Sequence, residues 1–453
     1  MNSTFPCLAG GVALALALAP ALAAVTAEEA AQLKTTLTPL GGERAGNKDG
    51  TIPAWTGAVT PGGEMYGSNR RKDPFAADKL LYSVTAKNMD QYADKISEGY
   101  KAVMKKYPET FRIDVYPTRR TGIAPQWVYD NTAKNAVRAT LIDSSSGQVP
   151  EGAYGGIPFP VPKSGAEIVW NHILRWRGPA YMSVGRNYQV TSDGQWIMVG
   201  DVDLNIMMPY YVQNGADNFK GEYWLVRSQT FGPPIRAGEA ILGRQAMEAD
   251  KTNTWVYLTG QRRVRKLPNP CCDTPSPFSA GISTFDEVNV FDGRINRFDW
   301  KIVGKREMLI PYNGNRFYVP LKDKDVFGSK HLNPDHVRWE LHRVWVVDAT
   351  LRAGQRHTSP KSRYYFDEDT WQAVMAERYD AQGTLARVPF AIPYVYSDYP
   401  GTDQLLWGIY DLVGGSTFIS GVTNEKETAF RLQVPPFPDS RFTPDLLAGE
   451  GVR

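Results

Sequence analysis

From Thr26 on, apolar positions recur first at helical spacing and then in alternation. Thr26 and Glu29 form a capping-box pattern ahead of Ala30, Leu33 and Leu37, and Gly41-Gly42 closes that segment. A second helix is expected from Asn88, with Met89, Tyr92, Ile96, Val103 and Met104 at near-helical spacing, and a third from Pro125 through Trp127, Val128, Ala133, Ala136 and Val137. A turn-rich strip, Ser144 to Gly165, leads to a short helix around Ile168, Val169, Ile173 and Leu174.

The pattern then turns to β. Tyr188–Val190 and Trp196–Val199 flank Ser192-Asp193-Gly194, a hairpin signal. Further strands are expected at Tyr223–Phe231, Thr254–Leu258, Phe298–Ile310 and Val337–Thr350. Arg363–Phe366, Ala373–Tyr379 and Leu385–Phe390 read as a meander, and Leu405–Leu412 with Ser416–Ile419 as a last hairpin. Few helix-length segments separate these strands, so antiparallel order follows. The expectation is an α+β fold, mainly antiparallel β: a helical N-terminal region, 24–165, and a curved sheet or open barrel, 166–453, with helices covering or plugging its mouth.

The first segment is different. Leu8 to Ala23 is a 16-residue apolar run, short of the roughly 20 needed to span a bilayer, and it ends in the small-x-small site Ala21-Leu22-Ala23. Residues 1–23 read as a cleavable export signal, with cleavage near Ala23 and the periplasm as destination. No later apolar run approaches membrane-spanning length, so no transmembrane span is expected in the mature chain. Past Cys7 the chain has only Cys271 and Cys272. Adjacent Cα atoms lie about 3.8 Å apart, below the usual disulfide range, so an intrachain bond would be strained. Two free thiols or an intermolecular link remain.

Composition narrows the function classes. Of 453 residues, 51 are Lys or Arg and 48 Asp or Glu, a net charge of +3 that gives no general reason to bind nucleic acid. The hydrophobic fraction of 42% is that of an ordinary globular chain rather than a disordered one. There is no G-x-S-x-G elbow, HExxH, Walker A loop or G-x-G-x-x-G, and no catalytic residue or cofactor is assigned. Asp201, Asp203 and Asn205 imitate a calcium loop, but Ile206 and Val212 stand where Gly and Glu are required. His336 and His342 on one strand would lie about 20 Å apart, too far for one ion, and no metal site is read. Asp367 and Asp369 read as turn formers.

Two features remain. Arg262, Arg263, Arg265 and Lys266 form a basic strip, either a solvated strand face or a patch for a head group or partner. Trp224, Trp255, Tyr257, Trp300, Trp339, Trp345 and Trp371 give the strands a large aromatic supply. These rings either pack a core or line an apolar cavity. At about 0.8 kcal/mol per buried methylene, ten methylenes supply about 8 kcal/mol before costs, comparable to micromolar binding.

Long stretches of the chain resemble a known family. GGIPFPVPKSG (155–165), GQRRVRKLPNPCCDTPSP (260–277), FDWKIVGKREMLIPYN (298–313), LNPDHVRWELHRVWVVDATL (332–351) and YYFDEDTWQAVMAERYDAQG (364–383) are similar to the domain of unknown function 1329 family. Its members are exported proteins of Gram-negative bacteria, often labelled outer-membrane lipoprotein-sorting-like. The resemblance implies a fold like that of the carriers LolA and LolB, an incomplete antiparallel barrel with helices in its mouth. It further implies association with exporters of the resistance-nodulation-division (RND) type and with an outer-membrane protein. On this basis the expected function is a non-enzymatic periplasmic carrier or accessory protein for a lipid, acyl chain or other hydrophobic compound. A hydrolase of unfamiliar type and a ligand-free adaptor are the alternatives.

Overall fold

The computed structural model describes residues 25–57, 65–66, 70–144, 147–268, 271–320, 322–427, 429–433 and 435–450; the expected export signal, residues 1–23, lies outside them. Five α-helices occur among the described residues: α1 (Ala27–Ala31), α2 (Glu98–Lys106), α3 (Gln126–Arg138), α4 (Gly165–Ile173) and α5 (Pro444–Glu450). The first strands are short: β1 (Met65–Tyr66), β2 (Arg70–Arg71), β3 (Tyr82–Val84), β4 (Ile113–Val115), β5 (Thr140–Ser144) and β6 (Gly147–Glu151). Next come β7 (Ala180–Val190), β8 (Trp196–Met207), β9 (Glu222–Gly232), β10 (Ala240–Ala246), β11 (Asn253–Leu258) and β12 (Arg263–Lys266). The last are β13 (Phe298–Pro311), β14 (Trp339–Leu351), β15 (Lys361–Asp367), β16 (Ala373–Tyr379), β17 (Leu385–Val395), β18 (Thr402–Asp411), β19 (Thr417–Val422) and β20 (Phe430–Leu432).

One sheet of 16 strands holds all of these except the hairpins β1-β2 and β5-β6. Its antiparallel path runs β12-β11-β10-β9-β8-β7-β19-β18-β17-β16-β15-β14. Beyond β14, β13 pairs along its whole length, while β4 joins β14 in parallel at Val115 and Trp339 and carries β3. Among the described residues the sheet does not close into a barrel: β12 pairs with β11 alone and β13 with β14 alone.

The N-terminal third is less helical than its apolar spacing predicts. Helix α1 has five residues. Asn88 starts no α-helix: its Oδ1 accepts from the Thr85 N–H (2.7 Å), and Met89–Tyr92 make only a 3₁₀ turn. The α-helix begins nine residues later, where the Ser97 hydroxyl accepts from the Tyr100 N–H (3.2 Å). Strands β3 and β4, also from this third, enter the large sheet.

The sheet separates two main cores. On β14, Val344 and Val346 face one and Val347 and Ala349 the other; on β15, Tyr365 opposes Tyr364 and Phe366; on β17, Phe390 and Ile392 oppose Ala391. A strand hidden on both faces shows no polar alternation, which is why Val337–Thr350 reads as a long apolar run. One core takes Tyr100, Val103 and Met104 of α2 together with residues 308–337, and the other takes α3 and α4. In GGIPFPVPKSG, Gly155 sits at φ +66°, and a Cβ on Gly156 would stand 2.3 Å from the Thr132 nitrogen, so α3 packs directly on this backbone.

Trp371 ties the turn after β15 to the N-terminal segment. It is fully buried, and its indole N–H donates to the Leu40 carbonyl (2.7 Å). Trp371→Ala is expected to cost about 3–5 kcal/mol. Trp371→Phe keeps most of the ring but strands the Leu40 carbonyl, at about 1–3 kcal/mol. Chemical-denaturation midpoints of the two variants against the native chain check both values.

Candidate functional site

The pleat of β7–β10 decides what lines a cavity on one face of these strands. Trp224, Val226 and Ser228 project into it from β9, Val202, Leu204 and Ile206 from β8, Ile241, Gly243 and Gln245 from β10, and Tyr181, Ser183 and Asn187 from β7. These are every second residue of each strand, as the period of two demands. The alternate set, including Leu225, Leu242 and Tyr257, packs on the other face with Leu447 of α5. The cavity measures about 290 Å³, near the lower end for small-molecule sites.

Helix α4 forms part of the wall through Trp170 and Ile173. Ser164 and Glu167 cap it reciprocally, and all nine of its residues are buried. Its polar side chains are consumed in fastening it. Asn171 donates to the Phe159 carbonyl (2.7 Å) and accepts from the Phe159 N–H (2.9 Å). His172 Nδ1 accepts from the Ala373 N–H (2.9 Å), so Nε2 carries the proton toward the Phe291 carbonyl (3.0 Å). Burial, with Arg175 nearby, holds this imidazole neutral, well below its ordinary pKa. Phe285, Val288 and Ile295 cover another side, and Trp407 of β18 and Phe418 of β19 complete the apolar lining.

Polar groups gather on part of the wall. Asp292 is half-buried, and desolvation lifts its carboxyl to about 6 although the Gln245 amide donates to it (2.9 Å). Asp403 lines the cavity and faces Arg175 (3.5 Å), which also donates to the Gln404 side chain (3.1 Å). Burial and the neighbouring Arg177 draw the Arg175 guanidinium down to about 10. Arg177 lies 5.6 Å from the Trp224 ring centroid.

Cys271 and Cys272 are free thiols on the same wall, the first half-buried and the second buried. The hydrogen bond from Cys272 brings the Cys271 thiol down to about 6, aided by Arg294 and Arg297, whose Nη2 lies 3.8 Å from its sulfur in the case of Arg297. The same bond and burial push Cys272 far up.

The seven aromatic residues singled out in the sequence separate. Trp224 lines the cavity. Trp255 and Tyr257 occupy the opposite face of β11, in the core with α5. Trp300 donates to the Ile295 carbonyl (2.9 Å) and packs on Phe291 and Tyr364. Trp339 meets Tyr100 edge-on in the other core, Trp345 lies under Lys305, and Trp371 is the buried anchor described above. The basic strip is also spread out: Arg262 occupies a turn at φ +48°, and Arg263, Arg265 and Lys266 are exposed on the edge strand β12. Charges there discourage strand addition. Trp170, Trp407, Tyr181 and Tyr223 are lining residues that sequence reasoning missed. Tyr181 and Tyr223 carried the alternation signal of their strands; Trp170 and Trp407 carried none.

A family model described as "Protein of unknown function (DUF1329)" matches residues 83–448. The uncharacterized protein PA3922 of Pseudomonas aeruginosa is 36% identical over 448 residues, covering 98% of each chain. Among solved structures, a putative outer membrane lipoprotein-sorting protein domain from Vibrio parahaemolyticus aligns at TM-score 0.44 and 12% identity, over 63% of this chain and 98% of that one. A DUF1329 family protein from Desulfovibrio piger aligns at 0.43 and 12%, over 62% and 97%. The LolA superfamily protein NE2245 from Nitrosomonas europaea aligns at 0.35 and 11%, over 63% and 100%. By the extent of the family match and the identity to the Pseudomonas relative, the chain belongs to the DUF1329 family.

Proposed function

We propose that this protein is a non-enzymatic periplasmic carrier that takes up a lipid, acyl chain or other hydrophobic compound and hands it between envelope components. The observation that carries the reading is the cavity of about 290 Å³, whose walls are mainly aliphatic and aromatic with a polar side. Such a lining rewards removal of an apolar body from water and tolerates a polar end. Residues 1–23 act as the export leader in this reading. Helix α4 and the 271–295 segment act as the cover, and an RND-type exporter and an outer-membrane protein are the partners. Among the described residues, no helix is long and apolar enough to cross a membrane.

Two predictions follow from the lining. Leu204→Trp and Ser228→Trp fill the cavity from its floor, and each is expected to weaken capture of the fluorescent probe N-phenyl-1-naphthylamine by about tenfold or more, equivalent to about 1.4 kcal/mol. Trp255→Ala, on the far face of β11, is expected to leave capture unchanged. Equal binding by all three variants in a fluorescence titration would remove the cavity from the mechanism.

The second concerns Asp292. A carboxyl lifted on folding contributes stability that is fully present below the unfolded value near 3.8 and lost as pH rises through about 6. Between pH 4 and pH 7 the Asp292 contribution therefore falls, by up to about 3 kcal/mol. Asp292→Asn is expected to flatten this part of the profile, as read from urea midpoints measured across the range. An unaltered slope in the variant would show that Asp292 is ionised without penalty.

A further inference from the structure

Three of the stretches that carry the family resemblance meet at a place the cavity does not use. FDWKIVGKREMLIPYN supplies Tyr312, LNPDHVRWELHRVWVVDATL supplies Glu340 and His342, and YYFDEDTWQAVMAERYDAQG supplies Asp367 and Asp369. His342, Asp367 and Asp369 are all buried, and each offers a ligand atom within 4.8 Å of the others. The spacing of His336 and His342 along one strand had excluded an ion shared between histidines; the tight turn after β15 instead brings carboxylates to His342.

We propose that His342 Nδ1, Asp367 Oδ1 and a carboxylate oxygen of Asp369 hold a divalent cation. The surroundings orient each ligand. His342 Nε2 stands 3.0 Å from Glu340 Oε2 and donates to it, which leaves the Nδ1 lone pair for a metal. A carboxylate behind a histidine is the usual outer support of a metal-bound imidazole. Asp367 Oδ2 receives every donor near that carboxylate: the Thr370 N–H (2.9 Å), the Thr370 hydroxyl (2.6 Å) and the Tyr312 hydroxyl (3.2 Å). Oδ1 of the same fully buried group has no hydrogen-bond partner among the described residues. It faces His342 Nδ1 at 3.9 Å, too far for a hydrogen bond. With metal–ligand bonds of about 2.0–2.2 Å, one ion bridges such a span. Asp369 is held in place by Arg120 at 2.6 and 2.8 Å.

Charge balance points the same way. Glu368 pairs with Lys305 (2.8 Å) and Arg343 (3.3 Å), Glu340 with Arg338, and Asp369 with Arg120. Among the described residues the ion-pair contact of Asp367 is His342 Nδ1 at 3.9 Å, itself a proposed ligand, and a buried carboxylate with no lysine or arginine beside it is costly. One imidazole with carboxylates suits zinc or manganese better than calcium or magnesium.

The test is metal content and thermal stability of the full chain, produced without a histidine tag. About one equivalent of zinc or manganese is expected by elemental analysis after dialysis against metal-free buffer. Chelation should lower the melting temperature and zinc or manganese alone should restore it. Asp367→Asn and His342→Gln should lose the metal while keeping the native circular dichroism. A metal-free native chain, whose melting temperature ignores millimolar zinc, manganese and calcium, overturns the proposal. So does undiminished metal in both folded variants. Should neither variant fold, chelation and re-addition on the native chain decide.

Discussion

Everything in this fold depends on hiding both faces of one long open sheet. A twisted sheet of this many strands exposes two broad apolar surfaces, and hydrophobic burial at about 25 cal/mol per Å² makes both expensive to leave wet. The chain covers one face with α2 and with Tyr312, Phe317, Val326, Phe327 and Leu332, and the other with α3 and α4. Near the C-terminus, Leu447 of α5 and Phe442 of the preceding 3₁₀ turn cover the outer side of β9–β11. The free ends of the sheet are managed separately, with the charges of Arg263, Arg265 and Lys266 on β12.

The cavity is the place where this covering is incomplete. Side chains from β7–β10 that would meet a packed layer elsewhere meet open volume beside α4. Its lining mixes large aromatics with small or polar residues such as Gly243, Ser183 and Ser228, which is why a space remains. The polar wall follows from a different demand. Arg175, Arg177, Asp292 and Asp403 are held near one another at depth, where mutual compensation offsets part of their desolvation.

Ion pairs also fasten the N-terminal segments to the sheet. Arg71 reaches Asp398 (2.7 Å), Arg120 reaches Asp369 (2.6 Å) and Arg338 reaches Asp78 (2.7 Å). Arg378 meets Asp286 at 3.2 Å and holds the 271–295 segment in the same way. Such pairs add little net stability, but removing one partner strands a buried charge at about 3–5 kcal/mol. They therefore select the docking of each segment more than they strengthen the fold. The polar node at His342 belongs to this network, and Asp367 Oδ1 within it accepts no hydrogen bond among the described residues.

Much of the local structure was legible in the sequence. The strands 298–310 and 337–350, the meander and last hairpin, the Thr26–Glu29 capping box and the short helix around Ile168 follow from period, turn residues and capping, all of which act over a few residues. The helix expected from Asn88 begins only after Ser97, because Asn88 turns its side chain back to Thr85, a competing local bond that apolar spacing does not register. Face assignment was not legible. On strands buried on both sides Trp224 and Leu225 look alike to any pattern, and only the sheet order sends one into a cavity and the other beneath α5. For the same reason Trp255, Trp300 and Trp339 became core. The meeting of His342 with Asp367 and Asp369 depends on how β14 pairs with β15 and on the turn that follows. Short-range stereochemistry thus determined the elements from the sequence alone. The tertiary structure decided which side of each strand carries function, because that depends on long-range pairing that no local period encodes.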